Sequence, residues 1–229
     1  MESAPFSGFS DETFWFLREL SRNDAAWFDA HREAYESAIV EPAKQLVEAL
    51  GPPLKALDPK IQAIPRVHGS IKSLERRRRF ARDPRPRFKD SLDLWFWSGR
   101  RRSWVNSGFF VRLTPERFVL AGGMVEFQKE TLARFREHVL DEARGSELRA
   151  IVADLRAGGY FVGGESYKRL PSGVPPDHPR ASLLKHGALF ANRETKHPPE
   201  LGTAAFPELV LEHFVRMAPL HTWLVALGA

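Results

Sequence analysis

Between Arg76 and Lys89 the chain reads Arg-Arg-Arg-Arg-Phe-Ala-Arg-Asp-Pro-Arg-Pro-Arg-Phe-Lys, with eight positive charges and one negative charge in fourteen residues. Like charges at this density repel unless carboxylates, open water or a bound anion offset them. Arginine suits the last of these, because its planar fork gives two parallel hydrogen bonds to a phosphate or carboxylate and does not titrate. Arg76, Arg79, Arg82 and Lys89 are therefore the candidate anion-binding residues. Asp83 and Asp90 are the candidate partners that orient them, and Asp93 is the next acid along the chain. The structural alternative is that one set of these arginines meets acidic residues of neighbouring helices while the rest is solvated.

The ligand class follows from how the charge is distributed. The whole chain carries +5, so without this segment the remainder stands at -2. Basicity is local, which suits a small phosphorylated or otherwise anionic ligand at least as well as a polyanion. Nucleic acid is the second reading, with Phe80, Phe88, Trp95 and Trp97 as faces on which bases would stack. A third is an enzyme acting on such a ligand, with Asp83 or Asp90 as acid or base and Arg79 and Lys89 stabilising charge. A fourth is a module that docks an acidic protein, including a second copy of the chain.

Other chemistry has little support. No phosphate-binding Gly-x-x-x-x-Gly-Lys loop, nucleophile elbow, zinc-protease motif or dinucleotide fingerprint occurs. Gly163-Gly164-Glu165-Ser166-Tyr167-Lys168-Arg169 is glycine-rich and basic, but its order is wrong for a phosphate loop and it is expected to be a turn. The histidines are scattered, His178, His186 and His197 among them, so neither a metal nor a cofactor is expected. Cysteine is absent, which removes disulfides and thiol chemistry and fits a reducing compartment. The opening Met1-Glu-Ser-Ala-Pro-Phe shows no signal-peptide pattern, and no apolar run approaches the length of a membrane span. A soluble, cytoplasmic protein is expected.

The elements that must hold the segment can be read on both sides of it. Ser10-Asp-Glu-Thr ahead of Phe14, Phe16, Leu17 and Leu20 predicts a capped first helix. A second helix is expected from Asp24 to Ile39. A third starts at Pro42, with Gly51-Pro52-Pro53 ending or sharply kinking it. Short β-type runs follow at Leu92 to Trp97, Gly108 to Leu113 and Arg117 to Val125, the last two joined through Thr114-Pro-Glu-Arg as a hairpin. Helical spacing returns at Leu132 to Val139 and at Leu148 to Leu155, with Gly158-Gly159 as the stop. Gly163 to Pro179 reads as a long loop, followed by a short helix at Ala181 to Lys185, a strand at Ala188 to Ala191, and a long helix from Pro207. With 17 Phe and 6 Trp to fill a core, the pattern gives one α+β domain over residues 1–229, with N-terminal helices, a central mainly antiparallel sheet with hairpins, and C-terminal helices.

Four blocks together resemble the family called domain of unknown function 2461. They are Phe14 to Phe28; Gly69-Ser70-Ile71 running into Arg76, Arg79-Phe80, Arg82-Asp83, Pro86 and Lys89; Leu92-Asp-Leu-Trp-Phe-Trp; and Gly108-Phe-Phe-Val-Arg-Leu-Thr-Pro with Gly122-Gly123 after it. The resemblance spans most of the chain. It implies a fold and a site location and no known reaction. Two positions depart from the family pattern: Arg77 stands where an Asp is usual, and Phe88 stands where a Tyr precedes the Lys.

Overall fold

A computed structural model of the chain describes residues 4–76, 87–100 and 105–228. Arg77, Arg79, Phe80, Arg82 and Asp83 lie outside the described residues. The elements in order are α1 (Asp11–Leu20), α2 (Ala25–Ala30), α3 (Arg32–Tyr35), a π-helical turn (Glu36–Val40), α4 (Glu41–Leu57), β1 (Ile61–Gln62), β2 (Leu92–Ser98), β3 (Gly108–Leu113) and β4 (Arg117–Met124). Then come α5 (Lys129–Leu140), α6 (Glu142–Ala157), β5 (Phe161–Glu165), β6 (His186–Lys196) and α7 (Phe206–Val225), with short 3-10 turns at Leu183–Lys185, Pro199–Gly202 and Ala226–Gly228. The strands form a six-stranded antiparallel sheet in the order β1-β2-β3-β4-β6-β5. The fold is α+β, with helices ahead of the sheet and a helix after it. None of the described helices is long and apolar enough to cross a membrane.

By contact density the chain divides into two compact units, residues 1–96, 110–120 and 194–212 in the first and residues 97–109, 121–193 and 213–229 in the second. In the first, α1 buries Phe16, Leu17 and Leu20 completely, each about 1.5–3 kcal/mol of apolar transfer. Ser10 has the extended backbone of a cap but makes no side-chain cap bond, so the acidic Asp11 and Glu12 are left to complement the helix terminus. Asp24 does cap α2, accepting from the Trp27 amide at 3.0 Å. The single helix expected from Asp24 to Ile39 is instead divided into α2, α3 and the π turn. The wider π turn lets the consecutive Ala38, Ile39 and Val40 all reach the interior. Nor does α4 stop at Gly51-Pro52-Pro53. It runs on to Leu57, because Leu50, Gly51 and Leu54 continue its buried face, and that burial outweighs the two missing prolyl donors.

In the second unit, α6 is capped by Asp141, whose side chain accepts from the Arg144 amide at 2.8 Å, and Gly158-Gly159 ends the helix as expected. The residues read as the start of a loop at Gly163 belong to β5. It pairs antiparallel with β6 through Phe161↔Asn192, Val162↔Ala191 and Gly163↔Phe190, and an irregularity precedes Glu165↔His186. Gly163-Gly164-Glu165 is thus strand, not turn. Gly164 sits at φ +115°, and a Cβ there would lie 2.1 Å from the Ala188 carbonyl oxygen. On the other side of β6, Gly123 of β4 sits at φ +134°, where a Cβ would lie 2.4 Å from the Leu189 carbonyl oxygen. Glycine allows both neighbours to close on the β6 backbone. β6 itself is eleven residues long, well beyond the expected Ala188 to Ala191. The core of this unit includes Phe109, Phe135, Phe214 and Trp223, with Phe109 stacked on Phe214 at 4.8 Å between centroids.

Candidate functional site

The arginine-rich segment is tied down at both described ends. Ile71 bridges Leu94 of β2, with the Lys72 amide donating to Asp93 O and the Trp95 amide to Ser70 O, both at 2.9 Å. Further on, Glu75 bridges Phe88, the Arg76 amide donates to Arg87 O at 2.8 Å, and the Lys89 amide donates to Leu74 O at 2.9 Å. The chain entering the segment and the chain leaving it therefore lie side by side. A turn fixes the entry, where the Ser70 hydroxyl accepts from the Ile64 amide at 2.9 Å. An aromatic contact fixes the exit, where Phe88 is buried and its ring stacks on Phe28 at 5.2 Å. Phe88 is thus a packing residue, with the Arg87 guanidinium over its ring at 5.6 Å.

β2 brings a carboxylate to this place. All seven of its residues are buried, as a central strand demands, and alternation puts Asp93 and Trp95 on one face with Leu92, Leu94 and Phe96 on the other. A buried carboxylate needs a partner. β3 supplies it from Arg112, whose Nε donates to Asp93 Oδ1 at 2.7 Å and whose second guanidinium nitrogen donates to Oδ2 at 2.9 Å. The fork-to-fork pair is the strong form of this interaction. It is also lopsided, since 7% of the Asp93 side chain is exposed against 44% of Arg112. The open part of the guanidinium lies over the half-buried Phe110 ring at 5.2 Å.

Lys89 completes the cluster. Its Nζ donates to the Ser73 carbonyl at 2.7 Å and stands 3.7 Å from Asp93 Oδ2, with 20% of the side chain exposed. Burial pushes the Lys89 ammonium below the ordinary lysine value. Asp93 opposes that shift, and the charges of Arg112 and Arg76 add to it. Arg112 moves the other way, held up by its hydrogen bond to Asp93. Arg76 reaches back to donate from Nε to Phe88 O at 3.3 Å. Asp90, exposed at the start of the approach to β2, also favours the charged form of Arg112.

Of the residues expected from sequence, the structure brings Arg76 and Lys89 together and leaves Asp90 at the rim; Arg79, Arg82 and Asp83 lie outside the described residues. Among the described residues Asp93 meets Arg112 and Lys89, and Glu75 accepts from Arg87 Nε at 2.9 Å. Arg112 was missed. Its signal was present, because in Phe-Phe-Val-Arg-Leu an arginine shares a strand face with Phe110 where an apolar residue would be usual. Trp95 and Trp97 are 2% exposed and Phe88 3%, so these three of the faces considered for base stacking are interior, while Phe80 lies outside the described residues. Among the described residues no group of His, Asp and Glu is arranged to hold a metal ion.

The family of conserved hypothetical proteins DUF2461 matches residues 12–223 by its sequence model. The chain belongs to that family. The match takes in the elements described around the cluster, from α2 through the paired ends of the basic segment to β3. A comparison with curated proteins returned no match.

Proposed function

We propose that the chain binds a phosphorylated or otherwise anionic small ligand at the cluster of Arg76, Lys89 and Arg112. The observation that carries this reading is the imbalance around Asp93. Both of its oxygens are taken by Arg112, while Lys89 and Arg76 stand close enough for their charges to act on one another. A ligand anion relieves that repulsion, and the 44% exposed fork of Arg112 leaves donors open to it. Arg79 and Arg82 belong to the same proposal as further anion contacts, with Asp83 and Asp90 orienting them. The burial of Phe88, Trp95 and Trp97 favours a small ligand over a single strand of nucleic acid.

Titration calorimetry with inorganic phosphate, pyrophosphate, oxalate, a mononucleotide, and short DNA and RNA, at low and high salt, tests the proposal. Binding of at least one small anion, weakened by salt and by about tenfold in Arg76→Gln, is expected. Absence of salt-dependent binding to every one of them would sink it.

A further inference from the structure

Among the cluster's cations only Lys89 can give up its proton in an accessible pH range and present a lone pair. A lysine that merely attracts an anion must stay charged, and open water is what favours its charged form. Lys89 is instead four-fifths buried, anchored through Nζ to the Ser73 carbonyl, and flanked by the like charges of Arg112 and Arg76. Among the described residues, Asp93 is the carboxylate that acts on it, and it is already engaged by both arms of the Arg112 fork and stands at 3.7 Å. These surroundings favour a neutral amine next to two guanidinium groups. That is the arrangement needed to hold a carboxylate and attack a carbonyl beside it.

Resting on the anion site proposed above, we propose that Lys89 condenses reversibly with the carbonyl carbon of a 2-oxo acid to form an imine. The ligand carboxylate lies against Arg112 and Arg76, which places the adjacent carbonyl at Nζ. The nitrogen lone pair forms the C–N bond while the carbonyl π electrons move to oxygen. The two amine hydrogens then leave with that oxygen as one water, giving C=N with no oxidant or reductant. Hydrolysis reverses the step. Burial and, among the described residues, the charges of Asp93, Arg112 and Arg76 set the protonation of Lys89, so the rate of condensation rises with pH as the amine form grows.

The full chain is incubated with pyruvate or glyoxylate and sodium cyanoborohydride, which reduces an imine to a stable secondary amine, and the modified lysines are located by peptide mass mapping. The expected result is an adduct on Lys89 formed at least about tenfold faster than on any other lysine, suppressed by oxalate, and weak with neutral acetone. In Lys89→Arg, which keeps the charge but offers no amine able to condense, the adduct at this position is lost. Modification spread evenly over the lysines, or none on Lys89 while oxalate binds, overturns the imine and leaves the anion site standing. If neither oxalate nor phosphate binds, the anion site falls with it.

Discussion

Asp93 and Arg112 form an ion pair whose halves are unequally placed, and the inequality sets what each substitution does. Removing the guanidinium takes the two-armed partner from a buried carboxylate and, among the described residues, leaves Lys89 at 3.7 Å. Removing the carboxylate charge leaves an arginine that water can reach. Arg112→Met is therefore expected to lower stability by about 3 kcal/mol, toward the cost of breaking a buried pair. Asp93→Asn should cost nearer ~1.5 kcal/mol, that of a hydrogen bond to a charged group. Urea midpoints of the two variants give the order, and a larger loss for Asp93→Asn would contradict it. Lys89 makes a second prediction. Its folded value lies below the ordinary 10.5, so the unfolded chain binds more protons and stability rises with pH from the folded value up to 10.5. Tyr35, raised above 10.0 by burial, works the other way, since its stabilisation is present below 10.0 and lost above it. Urea midpoints between pH 8 and pH 10 should climb, and Lys89→Met should flatten the climb. His186, lowered by burial, gives stability that is present above its ordinary 6.5 and falls as the solution is acidified through its folded value.

The strands and helices show which parts of the fold were legible beforehand. α1, the β3–β4 hairpin and the end of α6 were readable because local rules and tertiary packing agreed: an apolar stripe, a Thr-Pro-Glu-Arg turn, a glycine stop. Where they disagreed, packing won. Pro52 and Pro53 stay inside α4 because Leu54 has a buried place to go. Gly163-Gly164 is strand because β6 comes so close that only glycine fits, and that approach involves residues some twenty positions away. The site divides in the same way: Arg76 and Lys89 advertise themselves by charge density, whereas Arg112 matters because β3 pairs with β2, which composition does not reveal. The two β5–α6 glycines offer a direct comparison. Gly164→Ala meets backbone at 2.1 Å and Gly159→Ala, at φ +81°, meets nothing within 4 Å. The first should cost more than about 2 kcal/mol and the second about 1 kcal/mol, the strain of the left-handed conformation alone. Thermal denaturation of both would show whether the close approach of β6 is as rigid as its geometry implies.

At the scale of the whole molecule, the net positive charge lies in the stretch of sequence from Arg76 to Lys89, which holds the proposed anion site. With the segment from Arg76 to Lys89 set aside, the remainder is slightly acidic, so a long polyanion gains little by extending beyond the cluster. Affinity for duplex DNA is accordingly expected to be no greater than for a short oligonucleotide of a few phosphates, and its salt dependence should correspond to only a few neutralised phosphates. A steep salt dependence that grew with DNA length would argue instead for a broad nucleic-acid surface.

The strand order has a further consequence for the chain as it is made. β6 lies between β4 and β5 although both precede it. During synthesis, therefore, the hydrogen-bonding edges that β6 will occupy stay open until residues 186–196 have left the ribosome. A nascent chain halted before β6 keeps two unsatisfied strand edges, and stalled or truncated products of this length should be prone to aggregation and chaperone capture.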